Sequence, residues 1–457
     1  MPILQKILKR IFSPLIVRSY KKWYEETMDW KKSDWKNWQA ERFEEIKKSK
    51  WTLKHFPWLK DVTYEDLPNI PIQETYKEAP EDFPAVTSYY STGTIERKLI
   101  KISKRDGLNA IKAIGRCIIW LKGEPQLRKT LIIGDESLLS GRVYELVNGI
   151  ISKKAIAFSS SEILFKMKEL KKYGPFDSVG LTLPVAIPFF RKLEENFFTS
   201  PSFIFIGGDI VTDYLRLLIS NKSQELDTIL YVVDAYGTSE TMLTGMEIPP
   251  LVARSLVYIP ELSIVLIKKE DGSLVNLFDA KPGDRGEIIA TPLMDYTVPN
   301  YRIRDLIEVV HDNTPLNLPS FRVLGKVLHK VRLNIPKLGV IEGFAGTIIR
   351  AGGIVIKTQP LIQLIHRNFM SECLILIKRL EDKVRLIIYT EKQIKLEEFL
   401  AALQKDHEIN YLINDMKIGA LEVELIHDPE VIEELVRYVR EHIGAQAEIP
   451  RAILVEK

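Results

Sequence analysis

Cysteine is nearly absent: Cys117 and Cys373 are the only two among 457 residues. Two thiols so far apart exclude a disulfide framework and a cysteine-based zinc centre, and they suit a reducing cytoplasm. Histidine is sparse too. There are seven, with no His-x-x-x-His pair, which argues against a histidine-rich metal site. An excess of one charge is also lacking. A net charge of +3 is too small to imply nucleic-acid binding, and no Lys/Arg block stands out beyond the first helix. No apolar run is long enough to span a bilayer, and the N-terminus lacks the apolar stretch and cleavage site of a signal peptide. Repeats and low-complexity linkers are missing. What remains is 46% hydrophobic and 27% charged, an ordinary globular chain long enough for two or more domains.

Near the N-terminus, Leu4, Ile7, Leu8, Ile11, Phe12 and Leu15 share one helical face, with Lys6, Lys9 and Arg10 elsewhere. Such a helix suits contact with an anionic membrane surface or docking on its own protein, and Pro14 is expected to interrupt it. Residues 1–85 read as helices rich in Trp and charge. A strand precedes Ser91 and another covers 99–102. A helix over 105–121 follows. Strands at 131–133, 155–158, 178–183, 202–206 and 229–233 then alternate with helices at 141–147, 162–173, 189–197 and 212–220. That alternation predicts an α/β layer with largely parallel strands. Short strands and turns over 251–290 read as a β subdomain.

Beyond Gly325 the pattern changes. Strands at 374–377 and 384–389, a helix at 396–404, a strand at 421–426 and a helix at 429–443 describe a small α+β domain, with a last strand at 452–455. Asp428 and Pro429 suit the start of that helix and Gly444 its end. The expected architecture is therefore α/β: a large layered N-terminal domain, 1–325, with a β subdomain, and a small α+β domain, 326–457.

Three stretches carry chemistry. Asp234-Ala235-Tyr236-Gly237-Thr238-Ser239-Glu240 follows a strand and ends in a Gly turn with two hydroxyls and a carboxylate. Such a turn can hold a metal-bound phosphate, the hydroxyls and N–H groups facing oxygens and the carboxylate facing Mg²⁺. Upstream, Ser91-Thr92-Gly93-Thr94 precedes Arg97 and Lys98, a hydroxyl-rich loop with cations but without Walker spacing. Downstream is Tyr301-Arg302-Ile303-Arg304-Asp305, where the Asp can accept two hydrogen bonds from ribose. Each stretch has a plainer reading. Ser91–Thr94 fits a hairpin turn, Glu240 fits a helix cap, and Arg302–Asp305 fits a surface ion-pair strand.

In this order the stretches resemble the adenylate-forming superfamily, most closely the phenylacetate–coenzyme A ligases. Ser91 to Arg97 stands where that family has Ser-Ser-Gly-Thr-Thr-Gly-Lys. Gly207-Gly208-Asp209 through Thr212 to Arg216 stands for Gly-Ala-Glu-x-x-Thr-x-x-x-Arg. Asp234–Glu240 matches Asp-x-Tyr-Gly-x-[Ser/Thr]-Glu, and Tyr301–Leu306 matches Tyr-Arg-Thr-Arg-Asp-Leu. Glu96-Arg97-Lys98-Leu99, with Trp38-Gln39 and Tyr64-Glu65-Asp66, is similar to the GH3-type acyl-acid amido synthetases as well.

The resemblance implies that a small carboxylic acid attacks the α-phosphate of ATP and that the acyl group then passes to coenzyme A. It assigns Glu240 to Mg²⁺ and Thr238 to the α-phosphate. Gly207, Gly208, Asp209, Ala235, Tyr236 and Gly237 border the nucleotide, and Asp305 holds the ribose. Ser91, Thr92, Gly93 and Thr94 cradle pyrophosphate, with Lys98 as charge partner. Two departures leave rivals open. Glu96 replaces the second Gly of the phosphate loop. Val455 stands where the family has its catalytic Lys, five residues beyond Pro450-Arg451; Lys457, Lys326 and Lys330 are the alternatives in the C-terminal part. The rivals are transfer to an amine or protein, and a nucleotide- or acyl-binding protein without turnover.

Overall fold

The computed structural model describes all residues except 1, 91–98, 134–149, 159–165, 194–196, 208–210, 212, 250, 327–328, 346–347, 352–353, 381–382, 407–408, 411, 418–419, 443–450 and 456–457. The chain forms two compact units, and the C-terminal body begins at Leu324.

Among the described residues of the first unit, twelve strands form one sheet. Its parallel half runs in the order Ser152–Phe158, Leu127–Ile133, Phe176–Thr182, Phe198–Gly207, Leu230–Tyr236. Near-continuous apolar runs such as Leu131–Ile133 and Phe203–Ile206 suit strands covered on both faces. Leu230–Tyr236 is the turning point. Its other neighbour, Gly245–Ile248, pairs antiparallel, with Ala235 opposite Met246 and Tyr236 opposite Gly245. Val252–Tyr258, Ser320–Lys326, Tyr301–His311, Arg285–Pro292, Ser263–Lys268 and Leu274–Asn276 continue the sheet. The strands expected over 251–290 as a β subdomain are thus the hydrogen-bonded continuation of the parallel half. Tight turns suffice to join antiparallel strands, so they extend whatever edge they meet.

Several boundaries differ from the sequence reading. The strand expected to end at 233 runs on to Tyr236, so Asp234, Ala235 and Tyr236 belong to it and the turn starts at Gly237. The helix expected at 189–197 is Leu183–Arg191, and Phe198 already opens a strand. Pro184 sits in its first turn, where a missing N–H costs nothing. The first helix, Pro2–Thr27, runs through Pro14 without a break. Its second half is held by packing: Tyr20 lies fully buried against Gly115, where an added Cβ would come within 2.5 Å of the ring. No described helix is long and apolar enough to cross a membrane. The expected helix at 141–147 lies outside the described residues.

The second unit has a six-stranded sheet in the order His329–Ile335, Gly339–Ala345, Ala452–Val455, Cys373–Arg379, Val384–Thr390, Leu421–His427. Along Cys373–Arg379 the side chains alternate between two cores. Cys373, Ile375 and Ile377 join one with Leu361, Leu364 and Phe399, while Leu374 and Leu376 join another with Val431 and Leu435. Helices Thr358–Phe369 and Leu396–Lys405 supply the first core, and Pro429–His442 the second. Asp428 starts the last helix as expected, accepting from Val431 N at 3.3 Å.

Helix Lys104–Lys122 opens with a reciprocal cap between Ser103 and Asp106 and closes on Gly123 at φ +73°. Asp106 is 2% exposed, and burial, with the Asp295 charge beside it, pushes its carboxyl up to about 6. Between the ordinary carboxylate value and 6, the folded protein keeps a proton that the unfolded chain has released. Stability attributable to this group therefore falls as pH rises from about 4 to 6, by roughly 3 kcal/mol. Asp106→Asn should remove that slope. Urea midpoints of wild type and variant at pH 4.5 and 7 check it, and identical pH dependence in the two would rule it out.

Candidate active site

The end of strand Leu230–Tyr236 is the carboxyl end of the last parallel strand, where the sheet changes from parallel to antiparallel. The chain there must turn back within a few residues. Thr244 N donates to Tyr236 O at 2.8 Å and Thr241 N to Thr238 O at 3.2 Å, closing the turn. Gly237 is required by space: a Cβ on it would lie 1.8 Å from Met242 O. Gly207, on the neighbouring strand, is less pressed, with Ala235 O at 3.3 Å from its would-be Cβ. Thr238, Thr241 and Thr244 form a chain of hydroxyls, Oγ1 to Oγ1, at 3.1 and 2.8 Å. Thr241 and Thr244 are buried, and Thr238 is the half-exposed end of the chain. Glu240 is 7% exposed. The element after it is the strand Gly245–Ile248, so Glu240 does not cap a helix.

Asp305 comes to this turn from far away in sequence. Strand Tyr301–His311 pairs with Arg285–Pro292, with Arg302 opposite Ile289 and Leu306 opposite Glu287. Ile303, Arg304 and Asp305 thus face the single residue Ile288, a bulge, and Arg304 sits in the left-handed region at φ +70°. A bulge re-aims a side chain that regular alternation would send elsewhere. Here Asp305 is 4% exposed and its Oδ2 accepts from Tyr236 Oη at 2.6 Å. The Tyr236 ring meets Phe321 edge-on, with centroids 5.9 Å apart, which fixes the phenol.

The arginines of the same strand do something plainer. Arg302 grips Glu287 with Nε and Nη2 at 2.7 and 2.9 Å and reaches Glu74 through Nη1 at 3.0 Å. These hydrogen bonds, Glu287 foremost, push its already high pKa further up. Arg304 approaches Glu74 at 3.5 Å. Both are ion-pair residues bracing the bulge. Sequence reasoning missed Glu74, Glu287 and Phe321. The threonines at 238, 241 and 244 were visible as a three-residue spacing. The glutamates and Phe321 carry no local signal, because only sheet order brings them close.

Ser91, Thr92, Gly93, Thr94 and Lys98, along with Gly208, Asp209 and Lys457, lie outside the described residues. The strands that carry the hydroxyl-rich loop are described: Ala85–Tyr90 and Leu99–Ser103 pair antiparallel up to Tyr90 opposite Leu99. Among the described residues no three His, Cys, Asp or Glu side chains gather as a metal site. In the second unit, Val455 pairs with Gly343 and packs into the core, and Arg451 is tied to Glu372. Lys326 and Lys330 lie on strands Ser320–Lys326 and His329–Ile335.

No protein-family model matches the chain. No curated protein matches its sequence. Solved structures match its shape. The acyl acid amido synthetase GH3.15, in complex with 2,4-DB, gives a TM-score of 0.62 at 13% identity over 96% of this chain and 94% of that one. 2-Hydroxyisobutyryl-CoA ligase in the postadenylation state with 2-HIB-AMP gives 0.60 at 12% identity over 91% and 88%. The fold is that of the adenylate-forming enzymes. O-succinylbenzoate coenzyme A synthetase from Bacillus subtilis, with ATP and magnesium ion, gives 0.50 at 13% identity over 82% and 71%. The adenylate-forming fold is therefore shared here with coenzyme A ligases and with amido synthetases.

Proposed function

We propose that the protein activates a small carboxylic acid with ATP, through an acyl-adenylate, and passes the acyl group to the thiol of coenzyme A. The observation that carries this reading is the Tyr236–Asp305 hydrogen bond. It joins two of the nucleotide-type stretches, separated by most of the antiparallel half of the sheet, at one end of the last parallel strand. A carboxylate buried beside a phenol and a turn lined with threonine hydroxyls is a suitable cradle for ribose and phosphate.

The residues divide the work as follows. Asp305 accepts from the ribose hydroxyls, and Tyr236 and Ala235, with Gly207, Gly208 and Asp209, border the base. Thr238 donates to the α-phosphate. Ser91, Thr92, Gly93 and Thr94 hold the outer phosphates, with Lys98 as countercharge. Glu240 would hold Mg²⁺, which neutralises phosphate charge when bound. A carboxylate oxygen of the acid attacks the α-phosphorus and pyrophosphate leaves. The thiolate then attacks the acyl carbon and AMP leaves. Displacement at phosphorus needs positioning and charge neutralisation more than covalent help. Residues 326–457 act as a closing lid in this reading.

A second reading, transfer to an amine, is favoured by the amido synthetase match over 96% of the chain. A third, binding without turnover, is favoured by Val455 in the place of the catalytic Lys. Pyrophosphate release with ATP, Mg²⁺ and mixed carboxylic acids separates enzyme from binder. Coenzyme A or amines added to the active mixture then separate the first two readings by product mass.

Asp305→Ala should weaken ATP and AMP binding alike by roughly 1–3 kcal/mol, the cost of leaving buried hydrogen-bonding groups unpaired. Calorimetry checks it. If 2′,3′-dideoxy-ATP binds wild type as tightly as ATP, Asp305 is not the ribose ligand.

A further inference from the structure

The phenol that meets Asp305 is itself held from behind, by a ring that starts three strands away. In the sheet order, Leu230–Tyr236 is followed by Gly245–Ile248, Val252–Tyr258 and Ser320–Lys326. Tyr236 lies opposite Gly245, and Phe321 lies opposite Leu256. Directly opposed residues send their side chains to one face, so a side chain at position 245 would stand beside the Tyr236 ring. Gly245 has none, and Phe321 fills the place. A Cβ on Gly245 would come 2.8 Å from Phe321 Cζ and 3.0 Å from its Cε1, with Leu256 Cβ at 3.0 Å as well. An aromatic ring laid over a strand glycine restores packing that the glycine gives up. Phe321 is fully buried, and its ring stands at 84° to that of Tyr236.

This ring pair leads into the site. Tyr236 is only half-buried, so its neighbours decide where the phenol stands. A wall on one side removes rotamers that would swing it away. From that position Tyr236 Oη donates to Asp305 Oδ2 at 2.6 Å. A short charge-assisted bond of this kind sets the rotation of the carboxylate plane. Ribose offers two neighbouring hydroxyls, and a carboxylate accepts from both only when its plane is turned toward them. Phe321, being fully buried, acts through Tyr236. Phe321, Gly245, Tyr236 and Asp305 all belong to the first unit.

We propose that Phe321, seated over Gly245, is a positioning residue that holds Tyr236 on Asp305 and so sets the preference of the site for nucleotides with ribose hydroxyls over those without. This deepens the nucleotide reading above and rests on it. A residue that serves only the core affects every nucleotide alike. A nucleotide without ribose hydroxyls keeps its base and phosphate contacts and does not sense the turn of the carboxylate. 2′,3′-Dideoxy-ATP is therefore the internal control.

The test is titration calorimetry of the full chain with Mg²⁺–ATP and with Mg²⁺–2′,3′-dideoxy-ATP. Wild type should prefer ATP. Phe321→Leu should weaken ATP binding about fivefold to tenfold, the worth of one hydrogen bond, and leave dideoxy-ATP unchanged. Gly245→Ala keeps the ring but displaces it, and should show the same ATP-selective loss. Tyr236→Phe removes the hydroxyl and keeps the ring. Adding Phe321→Leu to it should cost ATP nothing further, because both act through one bond. Phe321→Met, whose flexible chain fills irregular gaps, replaces Phe321→Leu if that variant does not fold. Equal losses for ATP and dideoxy-ATP in Phe321→Leu would mean a merely structural role and overturn the proposal. So would additive losses in the combined variant, or unchanged ATP affinity in both Phe321→Leu and Gly245→Ala, with the nucleotide reading still standing. If wild type binds the two nucleotides equally, Asp305 is not the ribose ligand and this proposal falls. If wild type binds neither, the nucleotide reading falls as well.

Discussion

Gly237→Ala is expected to lower ATP affinity about a hundredfold and to reduce stability by roughly 2–4 kcal/mol. The added methyl would lie 1.8 Å from Met242 O, inside any van der Waals contact. Met242 has little room to retreat. It already sits at φ +61°, and the next turn of chain is pinned by Thr244 N to Tyr236 O and by Ile259 N to Thr244 O, at 2.8 and 2.9 Å. Relief must come from opening the turn by more than an ångström. That breaks the Thr238–Thr241–Thr244 hydroxyl chain and shifts Tyr236, which orients Asp305. Overpacking usually costs 1–3 kcal/mol where side chains can adjust; here the obstacle is backbone. Gly207→Ala is the control. Among the described residues its methyl meets Ala235 O, at 3.3 Å, and its cost in stability should be well under half as much. Thermal melts and calorimetry on both variants decide the matter. Wild-type melting and ATP affinity in Gly237→Ala would show that the turn is not held as described.

How much of this was legible beforehand differs by element. The helix expected over 105–121 is present as Lys104–Lys122, and the cap at Ser103 and close at Gly123 that set its ends are local features. The C-terminal α+β pattern was readable for the same reason, down to Asp428 as a cap. Strand Ala452–Val455 was visible as four apolar residues, but its central place between Gly339–Ala345 and Cys373–Arg379 was not, since register is decided by partners remote in sequence. In the site, Gly237 and the Thr238 and Glu240 side chains could be singled out from residue type and spacing. The extension of their strand to Tyr236 could not, because it depends on pairing with Gly245. Asp305 was singled out by its neighbours in sequence. Its burial against Tyr236 follows from a bulge opposite Ile288, and bulges leave no reliable local mark. The arginines beside it show the opposite case. Their charge read most plainly as an ion-pair strand, and the structure pairs them with Glu287 and Glu74.

The tryptophan-rich helices near the N-terminus lead to the second large expectation. Arg116→Met should destabilise the first unit by roughly 3–5 kcal/mol, because it leaves Glu261 buried without its cation. Arg116 and Glu261 are 1% and 2% exposed, with Nη2 at 2.6 Å from Oε2. The guanidinium is flanked by the rings of Trp35 and Trp120, at 4.6 and 4.1 Å from their centroids. Trp23 Nε1 donates to the other carboxylate oxygen of Glu261 at 3.1 Å. Trp23, Trp30, Trp35 and Trp38 are in contact ring to ring, between 4.8 and 6.2 Å. The pair therefore joins the first two helices to helix Lys104–Lys122 and to the chain after strand Val252–Tyr258. The size of the loss comes from the stranded charge more than from the lost attraction, and that distinction can be measured. Combining Arg116→Met with Glu261→Gln removes the charge while keeping an acceptor for Trp23, and should recover more than half of the stability. Guanidinium unfolding followed by tryptophan emission reads both, since the reporting rings surround the pair. If the double variant is as unstable as the sum of the two single ones, the pair matters through packing and cation–π contact, and the stranded-charge argument fails.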